Sequence, residues 1–121
     1  MKTFLQLLEQ ANSEINQISC SELNDALGSE DLVLVDVRSK EIIQSDGAIE
    51  GSVNIPRGML EFHADQREEN PFRRPALDPN KKIVLYCGAG GQSALSSKTL
   101  QDMGFTKVFN LAKPHACRET F

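Results

Sequence analysis

Apolar residues group along the chain in two patterns, short continuous runs and helical spacings. Two runs are almost entirely apolar and rich in β-branched residues, LVLVDV at 32–37 and KIVLYC at 82–87. Runs of this kind are typical of strands that are buried on both faces of a parallel sheet. Shorter apolar segments predict three further strands, at NQIS, GSVNIP and KVFNL.

Helical spacing occurs between these runs. The segment FLQLLEQA places apolar residues at i, i+3, i+4 and i+7, which predicts an amphipathic helix near the N-terminus. Ser19 and Glu22 are spaced as a capping box for a second helix, and Gly28 is its predicted stop. Further helices are predicted at SKEIIQS with Ser39 as cap, at RGMLEFHADQ, and at SALSSKTLQDMG with Gly104 after its end.

Strands and helices alternate throughout, so the chain is predicted to form one α/β domain over residues 1–121. It divides into an N-terminal helix (1–15), a core (16–111) and an atypical tail (112–121). The charged segment REENPFRRPALDPNKK contains three prolines and is predicted to be a surface loop.

Composition excludes several classes of function. The net charge of −4 argues against general binding to nucleic acid or to anionic membranes. Cys20, Cys87 and Cys117 are odd in number and irregularly spaced, which predicts neither a disulfide framework nor a zinc site. His63 and His115 are isolated, so no metal site is predicted. Free thiols are typical of a reducing compartment, and we expect a cytoplasmic protein.

Polar residues follow both long strands. Asp36 and Arg38 end the first, and Cys87 with a glycine-rich loop ends the second. Ligands of parallel sheets bind beyond the carboxyl ends of the strands, so this edge is the predicted site.

The loop after Cys87 is suited to hold an anion. Gly88, Gly90 and Gly91 would allow a tight turn whose N–H groups point inward, and Ser93 is predicted to start the next helix. Such a setting stabilises a thiolate, which is the nucleophilic form of cysteine. Two alternatives stay open, an inert buried cysteine and a phosphate-binding loop. The lysine of the nucleotide-binding pattern is missing, because Lys98 lies too far into the helix.

These segments resemble a rhodanese domain. The similarity lies in LVLVDVRSKEII, GAIEGSVNIPRGMLEF and IVLYCGAGGQSALSSKTLQDMGFTKVFNL, and covers roughly residues 16–111. It implies a five-stranded, mostly parallel sheet flanked by helices. It also implies transfer of a sulfane sulfur from a donor such as thiosulfate, through a persulfide on Cys87, to a thiol or cyanide. The implied cradle consists of Gly88, Ala89, Gly90, Gly91, Gln92 and Ser93.

Loop length separates this family from the related phosphatases. Rhodaneses usually have four residues between the cysteine and a basic residue, whereas tyrosine- and dual-specificity-type phosphatases have five. Here the four residues 88–91 precede Gln92, which favours sulfur over phosphate.

The loop departs from the family in its charge. Gln92 stands where arginine is usual, and Gly88 stands at a second position that is often arginine. A neutral amide lacks the permanent charge and forked donors of arginine, so weak binding of thiosulfate is predicted. Arg38 or Arg57 could supply a charge, although either could equally be structural. Asp36 is expected to support the site.

The tail AKPHACRETF also departs from the family, which usually ends in a helix with a tryptophan. Pro114 argues against a helix running through that point, so the final helix is predicted to be missing or altered. An uncovered apolar part of the sheet could then drive dimerisation or lower stability, unless the N-terminal helix covers it. The expected state is therefore a monomer or a weak homodimer. Cys117 is expected to be a free thiol on a mobile tail, or else a partner that resolves the Cys87 persulfide. Cys20 is expected to occupy space in the core or at the surface without a chemical role.

The sequence thus predicts a single-domain thiosulfate sulfurtransferase of low activity, with no cofactor or metal. Its partners would be a small sulfur donor and a thiol or cyanide acceptor, with neither nucleic acid nor membrane. The alternative is a catalytically weak binding or sulfur-carrier module that exchanges sulfur with a protein partner.

Overall fold

Five parallel strands form the centre of the molecule. The computed structural model describes residues 1–27 and 31–118. The strands are β1 (Asn16–Ile18), β2 (Leu32–Asp36), β3 (Val53–Asn54), β4 (Lys82–Tyr86) and β5 (Val108–Leu111). The order of the strands across the sheet is β1-β5-β4-β2-β3. The predicted five-stranded sheet is confirmed, and every neighbouring pair is parallel.

Helices precede, connect and follow these strands. They are α1 (Phe4–Glu14), α2 (Cys20–Leu27), α3 (Lys40–Asp46), α4 (Leu60–Ala64), α5 (Gly91–Asp102) and α6 (Pro114–Arg118), and a single 3₁₀ turn (Arg57–Met59) precedes α4. The capping box before α2 is confirmed, because the Glu22 N–H donates to Ser19 Oγ and the Ser19 N–H donates to Glu22 Oε1. Gly28, the predicted stop of that helix, lies outside the described residues. Ser39 caps α3 as predicted.

Residues of β2 and β4 alternate between two apolar layers. Val35 and Leu85 join one layer, and Leu34 and Val84 join the other. All four are buried, as the continuous apolar runs predicted. Cys87 extends the first layer, so the strand delivers it from the core to the sheet edge.

Helix α1 packs along α5. Ala11 is buried in this contact, and Glu14 forms a 3.3 Å ion pair with Lys98 of α5. Phe4 and Leu7 of the predicted apolar stripe remain 55% and 43% exposed. The stripe therefore packs only in part against the body of the protein.

The tail differs from the sequence expectation. No helix runs through Pro114, as predicted; the short helix α6 begins at this residue, because the first position of a helix does not need an N–H donor. The difference lies in the cysteine of this helix. Cys117 is fully buried and forms a disulfide with Cys20. The predictions of a free Cys117 on a mobile tail, of a Cys87–Cys117 pair and of a chain without disulfides are therefore wrong.

Strand order explains this disulfide. β1 and β5 are neighbours, and Ile18 is in register with Leu111. The segments that follow these two strands leave the sheet side by side, and the Cα atoms of the two cysteines lie 5.0 Å apart. Spacing along the sequence could not show this, because 97 positions separate the pair.

Candidate active site

The polar ends of β2 and β4 meet at one sheet edge, as the sequence predicted. Asp36 is in register with Tyr86, which directly precedes Cys87. The Val37 N–H donates to the Tyr86 carbonyl oxygen at 3.1 Å and continues the pairing to this edge. Residues 36–38 and the Cys87 loop therefore form adjacent parts of one site.

The loop holds the sulfur of Cys87 through two contacts. The Gly90 N–H donates to the sulfur at 3.0 Å, and the Ser93 hydroxyl lies 3.4 Å from it. Cys87 is only 4% exposed. One N–H donor and one hydroxyl, which can donate or accept, thus lie within hydrogen-bond distance of the sulfur at the base of the site.

Gly90 is the glycine that the loop geometry requires. Its φ of +93° lies in the left-handed region, and a Cβ atom here would lie 3.1 Å from the Ala112 carbonyl oxygen. Gly88 and Gly91 do not adopt positive φ, so the prediction that all three glycines would use this freedom holds for Gly90 alone. At Gly91, a Cβ would lie 3.4 Å from the Phe4 ring.

Helix α5 begins earlier than predicted. Gly90 is its N-cap and Gly91 its first residue, so Ser93 lies within the first turn rather than at the start. Ser93 is fully buried beside Cys87. Two further buried serines return their hydroxyls to the helix backbone, Ser96 to Gln92 at 2.7 Å and Ser97 to Ser93 at 2.8 Å.

Asp36 and Arg38 form a buried ion pair. Arg38 Nη2 lies 2.7 Å from Asp36 Oδ2, and the Arg38 backbone N–H donates to Asp36 Oδ1 at 3.0 Å. The same Nη2 donates to the Gly47 carbonyl oxygen at 2.7 Å. The hydrogen bond to Asp36 raises the pKa of Arg38 above its usual value. The guanidinium is charged, but the adjoining carboxylate balances that charge.

Arg57 lies elsewhere. It donates to Glu61 at 2.9 Å and to Thr99 Oγ1 at 3.1 Å, and so joins the turn before α4 to α5. It does not line the cavity beside Cys87. Arg38 thus lies on the wall of that cavity, whereas the contacts of Arg57 hold two helical segments together.

Two supporting residues were missed from the sequence. The Asn54 amide donates to the carbonyl oxygens of Asp36 and Arg38, both at 3.0 Å. The Tyr86 ring centroid lies 5.7 Å from the Arg38 guanidinium carbon. Burial raises the pKa of Tyr86, and its hydroxyl accepts from the Ile49 N–H at 3.0 Å. Asn54 is in register with Asp36 at the end of β3, a pairing that only the structure reveals.

A cavity of about 700 Å³ opens above the sulfur. This volume is within the range of about 300–1,000 Å³ that is usual for small-molecule sites. Among the side chains that the structure describes, Arg38 is the only lysine or arginine on its wall. The described lining residues are Phe4, Arg38, Ile42, Asp46, Cys87, Gly88, Ala89, Gly91, Gln92 and His115.

Residues 1–27 and 31–118 contain neither a candidate metal cluster nor a helix that could span a membrane. No group of three or more histidine, cysteine or acidic residues in these ranges could hold a metal ion. No helix there combines the length and the apolar character needed to cross a bilayer.

Comparison with known proteins identifies the family. The family model of the rhodanese-like domain matches residues 19–113, and the chain belongs to this family. A sulfurtransferase from Allochromatium vinosum is 26% identical over 98 residues, which cover 80% of this chain and 81% of that protein. The structure of the human single-domain sulfurtransferase TSTD1 has a TM-score of 0.68 at 29% identity, and covers 86% of this chain and 95% of that chain.

A second similar structure matches almost the whole chain. It is a Rhodopseudomonas palustris protein of unknown function, described as a possible tyrosine phosphatase. Its TM-score is 0.86 at 36% identity, and the match covers 99% of this chain and 92% of that chain. The fold and the family are thus shared with sulfurtransferases.

Proposed function

We propose that this protein transfers sulfane sulfur through a persulfide on Cys87. The Cys87 thiolate attacks the outer sulfur of a donor such as thiosulfate, the sulfur–sulfur bond of the donor breaks, and sulfite leaves with that electron pair. An acceptor thiolate or cyanide then attacks the outer sulfur of the persulfide, and the Cys87 thiolate leaves. The two steps consume only the donor and the acceptor, and need no cofactor.

The environment of the Cys87 sulfur is the observation that carries this proposal. An N–H donor lies 3.0 Å from it, a hydroxyl lies 3.4 Å from it, and the cavity opens directly beside it. Donors fixed around an anion stabilise it without needing to reorganise during the reaction. The same donors can serve the thiolate before transfer and as leaving group afterwards.

The alternative is a weak sulfur carrier that is loaded by a protein partner. Gln92 offers a neutral amide where the family usually has arginine, and the charge of Arg38 is balanced by Asp36. A dianionic donor therefore finds no unbalanced cation among the described residues of the wall. This observation favours slow thiosulfate turnover, and it is also what a carrier would show.

Phosphate ester hydrolysis is the less favoured reaction. Transfer of a phosphoryl group relies on cationic groups around its charged oxygens. The loop of four residues between Cys87 and Gln92 carries no charge. Hydrolysis of an aryl phosphate that depends on Cys87 would nevertheless favour this reaction over sulfur transfer.

Mass spectrometry after incubation with thiosulfate tests the proposal, with Cys87→Ser as the matched control. One added sulfur on Cys87, removable by cyanide and absent from the variant, is expected. If the folded protein stays unmodified with thiosulfate and with organic persulfides, sulfur transfer from small donors is wrong. A protein that gains sulfur only from a protein donor would establish the carrier alternative.

The place of action is a separate proposal. Free thiols are what a reducing cytoplasm would favour, but Cys20 and Cys117 form a disulfide and therefore do not indicate that compartment. Function in the cytoplasm stays a prediction, and so does a monomer or weak homodimer. Thiol trapping in freshly lysed cells tests the first, since an oxidised pair would indicate an oxidising compartment. Sedimentation of the purified protein tests the second.

A further inference from the structure

Two walls of the cavity come from outside the region that matches the family. The match to the family model spans residues 19–113. Phe4 in α1 lies before this span and His115 in α6 lies after it, yet both line the cavity. The matched region supplies Cys87 and its loop. The segments that flank it therefore shape the space in which a substrate must lie.

Helix α1, which begins at Phe4, is fixed at both of its ends. Thr3 and Gln6 form a capping box, with the Gln6 N–H donating to Thr3 Oγ1 at 3.2 Å and the Thr3 N–H donating to Gln6 Oε1 at 2.9 Å. The Glu14–Lys98 ion pair ties the other end of α1 to α5. The ring of Phe4 lies beside the start of α5, where a Cβ atom on Gly91 would be 3.4 Å from it, yet it remains 55% exposed and lines the cavity. It offers apolar surface to a ligand without a change in the fold.

His115 is fixed by the disulfide. It is the second residue of α6, between the buried Pro114 and the buried Cys117. The bond from Cys117 to Cys20 joins α6 to α2, and the two helices pack together. The imidazole therefore bounds the cavity as part of an anchored element.

The charge of the wall disfavours a dianion. Arg38 is balanced by Asp36, Gln92 is neutral, and Asp46 adds a carboxylate to the lining. Phe4 and Ile42, the latter 45% exposed, add apolar surface. Binding here would be stabilised by burial of apolar area rather than by attraction between charges.

We infer that the sulfur donor of this protein is an organic sulfane-sulfur compound with an apolar, ring-sized body that packs on Phe4 and Ile42, beside His115. The inference rests on the proposed function and specifies its donor. With an organic persulfide, the Cys87 thiolate takes the outer sulfur and an organic thiolate leaves. With an organic thiosulfonate, it takes the terminal sulfur and a sulfinate leaves with the electron pair.

Two thiosulfonates isolate the contribution of the apolar body. Benzenethiosulfonate and methanethiosulfonate carry the same single negative charge and the same reacting group, and they differ in the ring. The rate constant for persulfide formation on Cys87 is measured with each, and their ratio is compared between variants. The comparison between variants removes the difference in intrinsic reactivity of the two donors.

The variants are Phe4→Ala and Ile42→Ala, from two different helices. Each is expected to lower the benzene-to-methane ratio about tenfold, as loss of one good apolar contact does. The matched control is Phe62→Ala, because Phe62 is 54% exposed and contacts Phe72 away from the cavity. This control should leave the ratio unchanged, and thermal unfolding confirms that every variant is folded.

Each outcome separates the donor from the reaction. If Cys87 is loaded but neither Phe4→Ala nor Ile42→Ala changes the ratio, the donor inference is overturned and the sulfurtransferase stands. Faster loading from thiosulfate than from benzenethiosulfonate in the unaltered protein would overturn it as well. If no donor loads Cys87, the proposed function fails and takes the donor inference with it.

Discussion

A Cβ atom on Gly90 would lie 3.1 Å from the carbonyl oxygen of Ala112. The loop that surrounds the sulfur of Cys87 is thus pressed against the segment that follows β5. Gly90 also carries the N–H that donates to the sulfur, so its position links the backbone of the tail to the reacting atom.

Gly90→Ala should therefore damage both stability and sulfur transfer. An alanine at φ +93° is strained, and we expect a loss of about 1–2 kcal/mol in the free energy of unfolding. The rate of sulfur transfer should fall further than the loss of stability explains, because the strained backbone moves the residue 90 N–H out of hydrogen-bond distance of the Cys87 sulfur. The matched control is Gly88→Ala, which has open space and no positive φ. Equal effects of the two changes in urea unfolding and in persulfide formation would contradict this prediction.

Gln92→Arg should increase turnover of thiosulfate. Gln92 is exposed on the cavity wall, and arginine there would give the dianion a charge-assisted donor. A hydrogen bond to a charged group contributes roughly 1.5 kcal/mol or more, so kcat/KM should rise about tenfold.

Gln101→Arg is the control for that change, because it adds the same charge to the other end of α5. It should leave kcat/KM unaltered. If both variants raise the rate equally, the gain would come from net charge and not from the site.

Asp36→Asn should destabilise the protein strongly. It leaves the guanidinium of Arg38, which is 5% exposed, without its carboxylate. Removal of one partner from a buried pair costs about 3–5 kcal/mol. Asp65→Asn is the control, because the Asp65–Arg67 pair has an Arg67 side chain that is 67% exposed. An unfolding free energy that changes equally in the two variants would refute a structural role for the buried pair.

Reduction of the Cys20–Cys117 disulfide should lower stability. The bond closes a span of 97 positions, and disulfides over spans of this kind typically contribute about 2–4 kcal/mol. Addition of a phosphine reductant should lower the unfolding midpoint of the unaltered protein and of the Cys87→Ser variant by the same amount. The double variant Cys20→Ala, Cys117→Ala should be insensitive to the reductant. A midpoint that does not respond in the unaltered protein would show that the bond contributes nothing.

The sequence predicted those features that depend on local pattern. Continuous β-branched runs gave β2 and β4, and the spacing of Ser19 and Glu22 gave the cap of α2. The site edge followed from these strands, since residues after parallel strands must meet. The glycine-rich segment predicted a loop around Cys87, which the Gly90 contact confirms.

What depends on strand order was not predictable. The neighbours β1 and β5 are far apart in sequence, so the sequence offered no reason to pair Cys20 with Cys117. The same holds for the contact of Phe4 with the loop and for Arg57, whose partners include Thr99 on α5. Among three similar glycines, only the approach of Ala112 determines which one needs positive φ.

The disulfide also makes the chain from Cys20 to Cys117 a covalent ring. The segment between α4 and β4 is exposed at many positions, so a protease would be expected to cleave the chain there. A single cut there would leave both fragments joined, and they would migrate as one species until a reductant separates them. Likewise, a force applied outside the ring could stretch the flanking segments, including β1, but could not extend strands β2 to β5 inside the ring to their full contour length.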